Sequence, residues 1–179
     1  MLGDFHEGSA FLEESLGIWQ TLDLEGEQGL AETFRWLGAI AFWGESDKST
    51  AQSYFEQSLQ ISQKYSDQYG SAVSMFYLGR INYSSESALG MFEKSLDLFR
   101  QLSDLYHIGL IFMHLGWKSR DQRGFQKARL FFARCLAIDE ELKFKEGIAA
   151  RCRPGCNCIV AIWRPCVILP RGAERGADR

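Results

Sequence analysis

The first 150 residues of this 179-residue chain contain no proline and only a single cysteine. Both residue types gather after that point, as Pro154, Pro165, Pro170, Cys152, Cys156, Cys158 and Cys166. The last 29 residues also lack lysine, although they hold six of the thirteen arginines. Residues 1–150 carry 14 basic and 21 acidic side chains, for a net charge of −7, and the remainder carries 6 and 2, for +4. These compositions indicate two kinds of segment, and we predict one domain over residues 4–150 and a tail over 151–179.

Long apolar runs and an excess of positive charge are also missing. No apolar run approaches the roughly 20 residues that a membrane-spanning helix needs. The formal net charge of −3 argues against a nucleic-acid-binding face, since such domains are usually basic. The start of the chain, MLGDFHEGSAFLEESL, lacks the basic beginning and apolar core of a signal peptide. We therefore expect a cytoplasmic protein that binds neither membrane nor nucleic acid through this segment.

Catalytic signatures are absent as well. The sequence has no P-loop, no G-x-S-x-G nucleophile motif and no H-E-x-x-H zinc helix. His107 and His114 are seven residues apart on one predicted helix, and two turns separate them by about 10 Å, too far to share a metal ion. We predict no enzyme activity, no catalytic or metal-binding residues and no cofactor.

A Leu-Gly pair recurs three times, as Leu37-Gly38, Leu78-Gly79 and Leu115-Gly116. Glycine inside a helix costs about 0.5–1 kcal/mol relative to alanine, so its recurrence suggests a shared structural need. A large apolar residue lies three positions before each leucine and a small residue lies six before it: Phe34, Met75 and Phe112, then Ala31, Ala72 and Gly109. This pattern predicts helices over residues 27–43, 68–83 and 105–120, which we name the A helices. Asp67 and Asp104 are suited to cap the last two.

A second unit alternates with the first and ends in Leu16, Leu59, Leu96 and Leu136. A hydrophobic residue lies four positions before each leucine and a small residue eight before it, as Phe55, Phe92, Phe132 and Ala51, Ala88, Ala128 in the last three copies. These spacings place the residues on one helix face. We name the predicted helices, over residues 5–22, 47–64, 85–102 and 123–143, the B helices. Asp4 and Glu7 fit a capping box for the first.

The leucines of the B helices recur at intervals of 43, 37 and 40 residues. Such intervals are typical of stacked helix pairs. We predict an all-α fold, an α-solenoid of about seven antiparallel helices. In this fold the glycines of the A helices and the alanines of the B helices would allow neighbouring helices to approach closely.

The segment LGWKSRDQRGFQKARLFFARCL, with Leu115, Gly116, Ala128 and Phe132 in phase, resembles a tetratricopeptide repeat. This sequence departs from the family where an aromatic residue is expected three positions after each glycine, and there it has Ala41, Asn82 and Ser119. No proline closes a repeat, and the repeats are longer than is usual. Longer repeats with EQSL-type runs and a D-x-x-G start are similar to those of bacterial multidomain signalling ATPases and transcriptional regulators. The resemblance covers about residues 4–150 and implies a right-handed superhelix.

The resemblance also implies a concave face formed by the A helices, at positions six and three before each glycine and one, four and five after it. These positions include Glu32, Arg35, Ala39, Phe42, Trp43, Val73, Phe76, Arg80, Tyr83, Leu110, Met113, Trp117 and Arg120. We expect Phe42 and Leu110 to pack between helices. The predicted partner-binding residues are Arg35, Trp43, Phe76, Arg80, Tyr83, Met113, Trp117 and Arg120.

Arginine and aromatic side chains are enriched at binding hot spots, and three arginines suit an acidic peptide or a C-terminal carboxylate. We therefore expect a protein–protein interaction module or scaffold that is one piece of a larger bacterial regulator. A ligand- or peptide-sensing domain of such a regulator is the alternative, and an enzyme that uses the cysteine tail is a weaker third option.

The two ends of the repeat array lead to further expectations. Leu12, Leu16 and Trp19 have no obvious partner on the outer side of the first helix, so self-association through uncapped terminal helices is expected. The segment KEGIAARCRPGC begins like another A helix, and Pro154 then interrupts the pattern. For residues 151–179 two interpretations stay open, a metal or redox site formed by the cysteines and a disordered or non-native ending, of which we favour the second.

Overall fold

The computed structural model describes residues 3–22, 24–44 and 46–143. Throughout these ranges the only regular secondary structure is α-helix. The seven helices are α1 (Gly3–Thr21), α2 (Leu24–Trp43), α3 (Lys48–Lys64), α4 (Gln68–Ile81), α5 (Ser87–Gln101), α6 (Leu105–Asp121) and α7 (Phe125–Glu141). Predictions for residues 144–150 and for the 151–179 tail lie outside the described residues.

The helices pack in consecutive pairs, and α2 also contacts α4. The A helices are α2, α4 and α6, and the B helices are α1, α3, α5 and α7. The all-α, solenoid-like fold is thus confirmed, and every observed helix boundary lies within three residues of its predicted one. The regular alternation of the Leu-Gly unit and the B-helix unit made this accuracy possible.

Aspartate side chains begin three of the helices. Asp67 accepts a hydrogen bond from the backbone N–H of Gly70, and Asp104 from that of His107, as predicted. Asp47 caps α3 in the same way, through Ser49 and Thr50, which the sequence analysis did not anticipate. The capping box predicted at Asp4 is wrong in position, because α1 already begins at Gly3.

The Leu-Gly glycines lie directly against phenylalanine rings of the B helices. A Cβ atom added at Gly38 would stand 3.0 Å from the ring of Phe55, and at Gly79 it would stand 3.0 Å from Phe92. At Gly116 it would come within 2.6 Å of the Phe132 ring. These rings are buried, so a side chain at any of the three glycines would force the ring or its helix to shift, and the shift would be largest at Gly116.

A buried hydrogen bond also joins the helices of two pairs. The Ser58 hydroxyl donates to the backbone carbonyl of Ala31 at 2.8 Å, and the Ser95 hydroxyl donates to that of Ala72 at 2.7 Å. Cys135 occupies the equivalent place in α7 and is buried. The serines of the EQSL and EKSL runs therefore each link a B helix to the A helix before it, a function that the sequence pattern alone did not indicate.

Candidate functional site

Three A helices contribute to one cavity of about 280 Å³, which we call the A-helix groove. Its lining consists of Glu32, Arg35, Trp36 and Ala39 from α2, Tyr69, Val73 and Tyr77 from α4, and His107 from α6. The sequence analysis predicted four of these residues, Glu32, Arg35, Ala39 and Val73, to lie on the concave face of the A helices. The groove is thus built from the elements that were predicted to line it.

Arg80 lies beside Tyr77, one of the residues that line this groove, and its guanidinium contacts four aromatic rings. The Cζ atom of Arg80 lies 4.3 Å from the ring centroid of Trp43 and 4.7 Å from that of Phe42. The ring centroids of Tyr77 and Phe76 are 5.4 Å and 5.5 Å away. Such distances are within the range of cation–π attraction, so the rings hold the cation in place.

No aspartate or glutamate in the described ranges lies within 4 Å of the Arg80 guanidinium nitrogens. Burial lowers the pKa of this guanidinium, and the neighbouring Tyr77 and Tyr106 oppose that shift. Arginine nevertheless keeps its charge at neutral pH. Arg80 is therefore a half-buried positive charge supported by ring faces without a carboxylate from the described part of the chain.

The other two predicted arginines have acidic partners. Arg35 pairs with Asp67, with 3.3 Å between Nη1 and Oδ2. Arg120 donates to Oδ1 of Asp121 from Nε at 3.0 Å and from Nη2 at 2.8 Å. These carboxylates offset much of the charge that the sequence analysis assigned to a row of three arginines, so of the three only Arg80 lacks an acidic partner among the described residues.

The predicted aromatic residues differ in accessibility. Trp43 is 56% exposed, whereas Phe76 is only 1% exposed and belongs to the core, so the ring of Phe76 supports Arg80 instead of facing a partner. Tyr83, Met113 and Trp117 are half-buried. Phe42 and Leu110 pack against the core, as expected.

Tyr83 and Trp117 are also held by neighbours. The Tyr83 hydroxyl donates to Asp121 at 3.1 Å, and the edge of Trp117 meets the His114 ring at 5.2 Å between centroids. His114 itself stacks on Phe92. Burial and then the charge of Arg80 lower the pKa of His114 to about 3, so this imidazole is neutral at physiological pH.

Several aromatic residues in the groove and on the same A helices were missed. Trp36, Tyr77 and His114 each lie two positions before a Leu-Gly glycine, so an aromatic ring occupies this position in all three copies. The recurrence is visible in the sequence, but the family pattern used to assign the concave face does not include the position two residues before the glycine. Tyr69 and Tyr106, which are both exposed, lie ten positions before their glycines.

Within the described ranges, no group of three His, Cys, Asp or Glu side chains is arranged to hold a metal ion. None of the helices in that part of the chain combines the length and the apolar character needed to cross a bilayer. Comparisons with protein-family models and with curated proteins find no match. The resemblance to tetratricopeptide repeats therefore stays a prediction that rests on the residues.

Proposed function

We propose that this chain is a protein-interaction module of the tetratricopeptide-repeat kind, which binds an acidic segment of a protein partner along its A helices. The single observation that carries the proposal is Arg80, a half-buried cation held by four rings and without an acidic partner in the described residues. A guanidinium has five N–H donors, and aromatic faces do not replace hydrogen-bond acceptors. A partner carboxylate would supply them.

The surroundings of Arg80 favour a protein partner. Trp43, which contacts the guanidinium, and Tyr106, which interacts with it electrostatically, are both exposed. The exposed rings of Trp36 and Tyr69 line the adjoining A-helix groove. Large aromatic residues next to an arginine are the side chains that dominate binding energy at protein interfaces. Because the guanidinium is partly desolvated, a charge-assisted hydrogen bond to it is stronger than one formed in open water.

We place this module in the cytoplasm, as one part of a larger bacterial regulator or scaffold. The similarity of the long repeats to those of such regulators supports this assignment. Phage display of random peptides on the immobilised full chain, followed by fluorescence anisotropy of the selected peptides, tests it. We expect the selected peptides to share an Asp, a Glu or a free C-terminal carboxylate.

Substitution of Arg80 tests where such a peptide binds. Arg80→Gln removes the charge and should weaken binding by about 2 kcal/mol, or roughly 30-fold. Arg80→Lys keeps the charge but loses the planar guanidinium fork, so its affinity for the peptide should lie between those of the unaltered protein and of Arg80→Gln. Arg80→Glu should also make binding less dependent on salt concentration, because one attractive pair is lost.

The matched control is Arg129→Gln, which removes the same charge from an exposed position on α7. It should leave affinity within about twofold, since isolated surface charges contribute little. A melting temperature lowered by several degrees with unchanged affinity in Arg80→Gln would make Arg80 a structural residue and contradict the proposal.

A ligand-sensing domain is the second candidate function. The observation that favours it is a polar cavity between α2 and α3, which shares Glu32 and Arg35 with the A-helix groove but is not lined by Arg80 or by the four rings around it.

A further inference from the structure

A cavity of about 360 Å³ lies between α2 and the C-terminal part of α3, next to the residue that caps α4. We call it the α2–α3 pocket, and its lining includes Ala31, Glu32, Arg35, Ile61, Ser62 and Asp67. We propose that this pocket binds a free α-amino acid as its zwitterion. The proposal does not depend on the proposed partner binding at Arg80.

Ser62 provides the first indication of a ligand. Its side chain is 1% exposed, it lines the pocket, and its hydroxyl oxygen has no hydrogen-bond partner among the described residues. A buried hydroxyl without a partner costs free energy, and each such group in a native protein needs an explanation. The corresponding position of the next repeat is Phe99, an apolar residue, so the fold does not require a hydroxyl here.

Arg35 provides the second indication. Its side chain is 15% exposed, and the described residues offer it one partner, Asp67, at 3.3 Å. Most of its five N–H donors are therefore available to an acceptor in the pocket. A Cβ atom at Gly70 would collide with the Ser62 hydroxyl, the Arg35 guanidinium and the Asp67 carboxylate, so these three groups converge on one point. Arg35 and Ser62 together suit a ligand carboxylate.

The charges around the pocket favour a ligand that carries both signs. Asp67 offsets Arg35, and Glu32 adds an exposed carboxylate with no ion-pair partner in the described part of the chain. A simple anion would face both carboxylates, and a simple cation would face the guanidinium. Glu32 and Arg35 lie three positions apart on α2, on neighbouring turns of one helix face. They can therefore receive the ammonium and the carboxylate of one α-amino acid.

The size and the remaining surface of the pocket agree with this ligand. Ala31 and Ile61 supply an apolar wall for an amino-acid side chain. At about 360 Å³ the pocket lies near the lower end of the roughly 300–1,000 Å³ found for ligand cavities, which suits one amino acid better than a long peptide.

Differential scanning fluorimetry and calorimetry on the full chain test the proposal, with each proteinogenic L-amino acid at millimolar concentration. Acetate and ethylamine serve as probes that carry only one of the two charged groups, and glucose serves as a neutral polar probe. We expect at least one amino acid to raise the melting temperature and to release or absorb heat on binding. None of the three other probes should do so.

Two variants locate the site. Ser62→Ala should weaken amino-acid binding about tenfold, while the ligand-free protein keeps or raises its melting temperature because an unsatisfied hydroxyl is gone. Glu32→Gln alters an exposed side chain, so it should fold normally, and it should also weaken binding about tenfold. Arg80→Gln should bind the amino acid as the unaltered protein does, which separates this site from the proposed partner site.

Three results would overturn the proposal: no amino acid that binds, an equal response to acetate, ethylamine or glucose, or undiminished binding in both Ser62→Ala and Glu32→Gln. Each of them would leave the proposed function of Arg80 to be judged by its own experiment.

Discussion

Protonation of a single buried residue, His114, makes the stability of the protein depend on pH. In the folded protein its pKa is lowered to about 3, whereas the ordinary value is 6.5. Between these two pH values the unfolded chain binds a proton that the folded chain excludes. The stability contributed by neutral His114 is therefore complete above pH 6.5 and is lost as the pH falls towards 3, with a slope near 1.4 kcal/mol per pH unit.

We expect the unfolding free energy to fall by about 2 kcal/mol between neutral pH and about pH 5 through this residue alone. Urea unfolding at both pH values measures it. His114→Phe retains an aromatic ring on Phe92 but cannot be protonated, so the variant should show a smaller loss. Equal acid sensitivity in the variant and the unaltered protein would show that His114 is not the cause.

Arg35 and Arg80 illustrate what single-residue reasoning from the sequence could not settle. Both were predicted on the same face, yet Arg35 pairs with Asp67, which is 32 positions further along the chain, and Arg80 pairs with none of the described carboxylates. A repeat pattern assigns a residue to a face. Whether an acidic residue reaches it depends on the exact packing of α2 against α4, which the pattern does not contain.

At the scale of the helix pairs, the close packing of the Leu-Gly glycines against phenylalanine rings can be tested by substitution, with another glycine of the same protein as the control. Gly79→Ala and Gly116→Ala would each push a methyl group against a buried phenylalanine ring. We expect a loss of about 1–3 kcal/mol of unfolding free energy, with the larger value for Gly116, whose ring is closer. Chemical denaturation of the purified variants measures this effect.

Gly90 is the control, because it lies inside α5 with no atom within 4 Å of an added Cβ. There the same substitution should stabilise the protein by about 0.5–1 kcal/mol, through helix propensity alone. If Gly79→Ala and Gly116→Ala behaved like Gly90→Ala, close packing against the rings would not be the reason for the Leu-Gly pairs.

The helices were largely predictable because two units repeat in alternation and each has a helical period. Asp67 and Asp104 were identified as caps because they precede that period directly. The hydrogen bonds of Ser58 and Ser95 were not identified, since a small polar residue on a helix face is compatible with either packing or exposure. Geometry between helices was needed to assign them.

At the scale of the whole molecule, the first helix leaves apolar side chains uncovered. Phe11 is 69% exposed, and Ile18 and Leu22 are also exposed. Trp19 packs against Gly29 of α2, whereas the prediction concerned its outer side. Phe11 and Ile18 of α1, and Leu22 directly after it, are thus uncovered.

We propose that a second copy of the chain covers these residues at high concentration. Sedimentation velocity over a concentration series should show association that weakens in Phe11→Glu, because a charge would enter an apolar contact. Gln20→Glu adds the same charge at another exposed position of α1 and should act less strongly. A monomer at every concentration would contradict this expectation.

The central claim is that Arg80 receives a carboxylate from a protein partner, and a double-mutant cycle tests it most directly. The cycle combines Arg80→Gln with replacement of the acidic residue in the best selected peptide by its amide counterpart, and affinities are measured for all four combinations. If the two groups meet, their coupling energy should be about 1 kcal/mol or more, as for other close charge pairs. Additive effects, within about 0.5 kcal/mol, would contradict the claim.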